Sequence, residues 1–291
     1  MAAPSLIRTL GGDAGFGEEI LARNDDGSTQ EIALADVFPN GLNFFGEVYN
    51  SLWVNNNGSV TFDGSLATFT PQTITDGTTP GIFPYWGDVD TRNGDDLNVS
   101  PGGNSQGTNL VHYDLDADNG RFTVTWDDVG FFSRDNSLVN AFQLVLTDTS
   151  DDPGRATGDF DIEFRYEEID WTAGNITGSG GLGGVTARAG YSAGNDEGTF
   201  FELPQSGIED AMRALETTPG NTGQDGIWRF QVRNGDVPQT ISIASAGAVV
   251  EGDTGTTPME FLVQRDGDVT GELTVDWTAV GFFENPADSA D

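Results

Sequence analysis

Phe44-Phe45-Gly46-Glu47-Val48-Tyr49-Asn50-Ser51-Leu52-Trp53-Val54-Asn55-Asn56-Asn57-Gly58-Ser59-Val60-Thr61-Phe62 is the stretch that decides the fold class. Aromatic and β-branched residues alternate with polar ones on both sides of Asn57-Gly58, the period that buries one face of a strand. Asn-Gly readily adopts the φ > 0 pair of a type I′ turn, so a tight hairpin is predicted at Asn57-Gly58.

The same pattern recurs downstream. Val111–Leu115 and Phe122–Trp126 flank Asp118-Asn119-Gly120, a second hairpin signal. Asn140–Thr147 and Asp159–Tyr166 make a third, with Phe160, Ile162, Phe164 and Tyr166 on one face and acids and Arg165 mostly on the other. One wet and one buried face imply largely antiparallel sheets. Residues 1–40 read as leading strands of the same domain. Pro71, Pro80 and Pro84 punctuate what reads as a long connection, because proline cannot donate in a central ladder. The best helical candidate is the short run Ile208–Leu215.

Composition supports this reading. With 36% apolar residues, 19 Phe and 6 Trp, the 291-residue chain has material for real cores. Its net charge of −35 comes from 47 acidic and 12 basic residues, all of the latter Arg. Such a surface repels phosphate backbones and anionic membranes, which argues against nucleic-acid partners. The acidity fits solvation in salty surroundings, solubility, or oxygen ligands for Ca²⁺. Cysteine is absent, which excludes disulfides, thiolate metal sites and Cys nucleophiles. No apolar run is long enough to span a bilayer. The N-terminus lacks the pattern of a secretory leader, so export is expected to use a signal elsewhere.

The opening stretch, together with Ile82-Phe83-Pro84-Tyr85-Trp86-Gly87-Asp88-Val89-Asp90-Thr91-Arg92, resembles the nidogen-like (NIDO) domain, an extracellular β-rich module. Trp126-Asp127-Asp128-Val129, Asn140-Ala141-Phe142-Gln143, Phe164-Arg165-Tyr166, Ala189-Gly190-Tyr191 and Leu203-Pro204-Gln205-Ser206-Gly207 continue the resemblance in order, over roughly residues 40–233. After a linker at 234–238, Val250–Thr257, Phe261–Arg265, Leu273–Trp277 and Asn285–Asp291 resemble the first half of a Calx-beta domain, an immunoglobulin-like sandwich. The expected organisation is an all-β chain: an antiparallel, sandwich-like nidogen-like domain over 1–233, then an incomplete Calx-beta sandwich over 239–291. That remnant stops short of the roughly one hundred residues of such sandwiches.

These resemblances imply a non-enzymatic adhesion or matrix-interaction module of a large secreted or surface protein, of the bacterial adhesin type. Its localisation would be extracellular or at the cell surface, and its partner an extracellular protein or glycan. The loops around 92–108 and 172–187 are the candidate contact surfaces. Glu251, Asp288 and Asp291 match positions where calcium-binding Calx-beta members place carboxylates. Asp88 and Asp90, two apart on an extended segment, point to one side and read either as half of a Ca²⁺ site or as a strand end paired with Arg92.

Other constellations fail on their own chemistry. Asp114–Gly120 starts like an EF-hand loop, but Gly falls one place late and Thr125 stands where the bidentate Glu belongs. Gly103-Asn104-Ser105-Gln106-Gly107 has the nucleophile-elbow spacing without a helix after it, and His112, the single histidine, follows too closely for a hydrolase triad. His112 reads as an exposed or satisfied strand residue. Gly178–Gly184 lacks the Lys of a P-loop and reads as a flexible surface loop. Two rivals remain open. One is a carboxylate-based hydrolase of extracellular polysaccharide using Trp86, Trp126 or Trp171 as sugar platforms. The other is a purely structural spacer.

Overall fold

A computed structural model describes residues 6–93, 107–237, 240–245, 261–266 and 274. It divides into two units, Met1–Pro238 and Gln239–Asp291. In chain order the first unit has strands β1 (Glu19–Leu21), β2 (Ile32–Ala33), β3 (Leu42–Phe44), β4 (Glu47–Tyr49), β5 (Ser51–Asn55), β6 (Ser59–Thr61) and β7 (Gly81–Trp86). It continues with β8 (Leu110–Asp116), β9 (Arg121–Phe131), β10 (Asp135–Asp148), β11 (Phe160–Ile169), β12 (Arg188–Ser192) and β13 (Phe200–Glu202). A short helix α1 (Glu209–Arg213) precedes β14 (Ile227–Val232).

Two six-stranded antiparallel sheets form a sandwich. One runs β1-β8-β9-β10-β11-β14 and the other β13-β12-β7-β6-β5-β2. Alternation on β11 puts Phe160, Ile162, Phe164 and Tyr166 into the core, facing residues of the second sheet such as Val60, Ile82, Tyr85 and Tyr191. Two buried tyrosine hydroxyls span the layers: Tyr166 Oη donates to Pro84 O at 2.6 Å, and Tyr85 Oη donates to Trp171 O at 2.6 Å. The second unit's described strands, β15 (Thr240–Ser245) and β16 (Phe261–Asp266), pair antiparallel.

Three local expectations need correction. The left-handed pair lies at Phe45 (φ 49°) and Gly46 (φ 88°), joining β3 to β4 in a two-residue turn. Phe45 is held there by aromatic packing on Phe44 and Tyr191, at centroid distances of 4.6 and 6.0 Å. At the predicted position, Asn55 pairs with Ser59, leaving a three-residue loop in which Gly58 (φ 81°) has positive φ and Asn57 does not. A Cβ on Gly58 would stand 1.7 Å from Tyr85 O, so glycine is needed there for space as well as conformation.

Pro84 lies inside β7 and not in a connection. β6 pairs only with Gly81 and Ile82, and the β12 register slips between Arg188 and Gly190, so no ladder partner requires a proline N–H. The third correction concerns Gly178–Gly184, which is closely hydrogen-bonded. Thr172 and Ala173 N–H donate to Gly181 O, Gly183 N–H to Glu209 Oε2 and Val185 N–H to Thr177 Oγ1.

Candidate functional site

Asn55, Asn56 and Asn57 form a buried polar hub at one end of the sandwich. Asn55 Oδ1 accepts from Ser28 Oγ and Leu66 N. Asn56 Nδ2 donates to Val89 O at 2.6 Å and, over a short contact, to Asp25 O. Asn57 Nδ2 donates to Asp26 Oδ1 at 2.9 Å, and its Oδ1 accepts from Val89 N at 3.0 Å. The triplet therefore fastens the β1–β2 loop to the segment leaving β7.

That fastening gathers three carboxylates. Ligand oxygens of Asp25, Asp26 and Asp88 lie within 4.8 Å of one another. Asp88 is 5% exposed, and among the described residues no hydrogen-bond donor reaches its carboxylate. Asp25 Oδ2 is 3.0 Å from Arg92 Nη2, whereas its Oδ1 is buried without a partner. Burial, then the negative charges of Asp90 and Asp26, push Asp25 up to about 6 despite Arg92 and Arg134. Burial, followed by Asp25, Asp26 and Asp90, pushes Asp88 up to about 7. A cavity of about 130 Å³, lined by Asp26, Phe69, Asp88, Phe132 and Ile176, adjoins the cluster.

Asp90 stands outside this group. Its Oδ1 accepts from Arg92 N at 3.0 Å and Nε at 2.8 Å, and its Oδ2 from Arg92 Nη2 at 2.5 Å and Arg134 N at 2.8 Å. Burial alone would raise its pKa, but those donors hold it below the ordinary carboxylate value. The two-residue spacing thus separates Asp88 from Asp90: one enters the cluster and the other is taken by Arg92. Glu251, Asp288 and Asp291 lie outside the described residues, as do residues 94–106 of the candidate loop 92–108.

The sugar-platform reading of the tryptophans is not supported. Trp86, Trp126 and Trp171 are all buried, and each indole N–H is tied to a backbone carbonyl: Thr68, Asn56 and Val129, at 2.8, 3.0 and 2.9 Å. Trp126 stacks on Phe142 at 4.9 Å. These rings are committed to packing, Trp126 and Trp171 in the main core and Trp86 against Ile74 and Phe83. His112 is a buried residue of β8 whose Nε2 lies 2.9 Å from Thr108 Oγ1.

Comparison with known proteins agrees with this architecture: the nidogen-like domain family matches residues 50–234. The chain belongs to the nidogen-like domain family. It is 34% identical over 240 residues to alpha-tectorin of Mus musculus and of Homo sapiens, covering 77% of this chain and 10% of each relative. It is 27% identical over 209 residues to nidogen of Drosophila melanogaster, covering 66% of this chain and 14% of that protein. Dendrite extension defective protein 1 of Caenorhabditis elegans is 28% identical over 223 residues, 73% of this chain and 17% of that protein. The chain thus spans only a small part of each relative's length. No solved structure matches it significantly. Alpha-tectorin and nidogen are extracellular matrix proteins, in agreement with the extracellular or cell-surface localisation expected for this nidogen-like domain. No helix among the described residues is long and apolar enough to cross a membrane.

The Asn55–Asn57 hub is not evident from the sequence, where only Asn57, with Gly58, carries a turn signal. Asp25 and Asp26, which join Asp88 in the carboxylate cluster, do not stand out in the sequence, because Asn24-Asp25-Asp26-Gly27 has the pattern of an acidic turn. The available signal was three consecutive amides at the end of a strand, more donors and acceptors than one turn consumes.

Proposed function

We propose that the nidogen-like domain is a non-enzymatic, calcium-stabilised adhesion or matrix-interaction module of a large secreted or surface protein. The Calx-beta-like segment after it would serve as a spacer. The observation carrying this reading is the loop 172–187. Its backbone is pinned by the hydrogen bonds described above, yet it exposes Ile176 (57%) and Val185 (39%). Glu209, which accepts from Gly183 of that loop, is preceded by Ile208, also 57% exposed. Apolar side chains on a rigid loop suit protein recognition, since little ordering entropy is lost on contact.

The supporting facts are family membership, the extracellular relatives, and tryptophans committed to the core. An extracellular protein surface fits the exposed aliphatic groups better than a glycan, which favours aromatic faces. The test is solid-phase binding of the full chain to an immobilised extracellular-matrix protein extract, compared with Ile176→Asp and Val185→Asp. Loss of most binding at unchanged melting temperature supports the reading. Equal binding by all three proteins removes this loop as the contact surface.

A further inference from the structure

The geometry points to a particular place for the ion: we propose that Asp25, Asp26 and Asp88 form a Ca²⁺ site joining the β1–β2 loop to the end of β7. The inference deepens the calcium part of the function proposed above and rests on it.

Proximity of three acids alone would not justify a site, since exposed carboxylates crowd any chain this acidic. Asp88 supplies the independent reason. It is 5% exposed, its carboxylate faces Asp25 and Asp26, and no donor among the described residues satisfies it. Leaving a buried carboxylate without donors or a counter-charge is costly. The nearby Arg92 attracts Asp88 through space but makes no hydrogen bond to it, so the need is met only in part. Arg92 is engaged with both oxygens of Asp90 and with Asp25 Oδ2, while Arg134 is exposed and contributes its backbone N–H to Asp90.

The remaining oxygens are arranged for a cation. Asn57 holds Asp26 through Oδ1, leaving Oδ2 available. Arg92 holds Asp25 through Oδ2, leaving the buried, unpartnered Oδ1. Asp25 and Asp26 are thus each oriented by a fixed donor on one oxygen and offer the other, the way outer partners orient metal ligands. Asp88 adds an oxygen within 4.8 Å of those of Asp25 and Asp26. These donors are hard and anionic, and the cluster supplies only part of a coordination sphere. Ca²⁺ tolerates such sets and completes roughly six to eight positions with water, whereas Mg²⁺ demands near-octahedral geometry. The ion would also steady the neighbouring loop: Gly174 backs directly onto Asp88, since a Cβ there would stand 2.0 Å from Asp88 Oδ2.

The test uses the full chain at high NaCl, where general screening of the −35 charge is already saturated. Calorimetric titration and thermal melts with CaCl2, with MgCl2 and with EDTA are run on wild type, Asp88→Asn, Asp26→Asn and the control Asp118→Asn. The expected result is Ca²⁺-selective binding and a rise in melting temperature for wild type and Asp118→Asn. Affinity should fall at least tenfold in Asp88→Asn and in Asp26→Asn. Asp26 is only half-buried, so its variant keeps the test valid if replacing Asp88 disturbs folding. Absence of Ca²⁺ binding, equal responses to Mg²⁺, or undiminished affinity in both variants would overturn the site. Absence of Ca²⁺ binding would also remove the calcium part of the proposed function, whereas its matrix-contact part is tested separately by the solid-phase assay.

Discussion

Tyr166 of one sheet donates a 2.6 Å hydrogen bond to the carbonyl oxygen of Pro84 in the other, inside the core. The bond fixes the layers against each other at the proline that interrupts the β7 ladder. Tyr166→Phe keeps the ring's packing on Trp228 but removes the donor from a buried carbonyl. The expected cost is about 1–3 kcal/mol, measured as a lower urea midpoint at unchanged m-value.

Gly58 combines positive φ with the close approach of Tyr85 O. Gly58→Ala should therefore cost about 3 kcal/mol, from backbone strain and the forced shift of β7. At Gly46, where a Cβ meets nothing within 4 Å, the same substitution should cost only about 1 kcal/mol. Comparing the two variants in denaturant melts separates clash from conformation.

Asn56→Ala would deprive the carbonyls of Val89 and Asp25 of their side-chain donor. A loss of about 2 kcal/mol is expected. Accelerated hydrogen exchange should be confined to residues 24–29 and 87–91, the segments held by the hub. Uniform acceleration across both sheets would show instead that Asn56 supports the whole fold.

Asp25, Asp88 and Asp114 carry raised pKa values of about 6, 7 and 6, each caused first by burial. Between the ordinary value of 3.8 and these raised values, the folded chain holds protons that the unfolded chain has released. Without divalent ions, stability should therefore rise as pH falls from about 7 towards 4. Below that window Asp90 acts in the opposite direction, because its depressed pKa makes its contribution disappear on protonation. Thermal melts in EDTA across this range check the slope, and Asp88→Asn should flatten its upper part. A melting temperature that falls steadily on acidification from pH 7 would contradict the assignment.

Much of the fold was legible because it rests on local period. Phe160, Ile162, Phe164 and Tyr166 alternate so strictly that their common face and its burial follow from strand geometry alone. The hairpin at Asp118-Asn119-Gly120 was readable for the same reason, and Gly120 adopts the left-handed conformation there. The Asn57-Gly58 turn type was not, because Asn57's amide is spent on Asp26 and Val89, partners in other parts of the chain. Local propensity yielded to tertiary hydrogen bonding.

By itself, the sequence determined an all-β, antiparallel, acidic domain, because alternation and turn chemistry act between near neighbours; its nidogen-like character rested on the resemblance of its motifs. Only the tertiary structure decided which residues meet across the layers. It placed Pro84 within a strand, sent Asp90 to Arg92, and brought Asp88 to Asp25 and Asp26. The spacing of two acids sets the faces they occupy, but sheet order and loop closure set what stands opposite them.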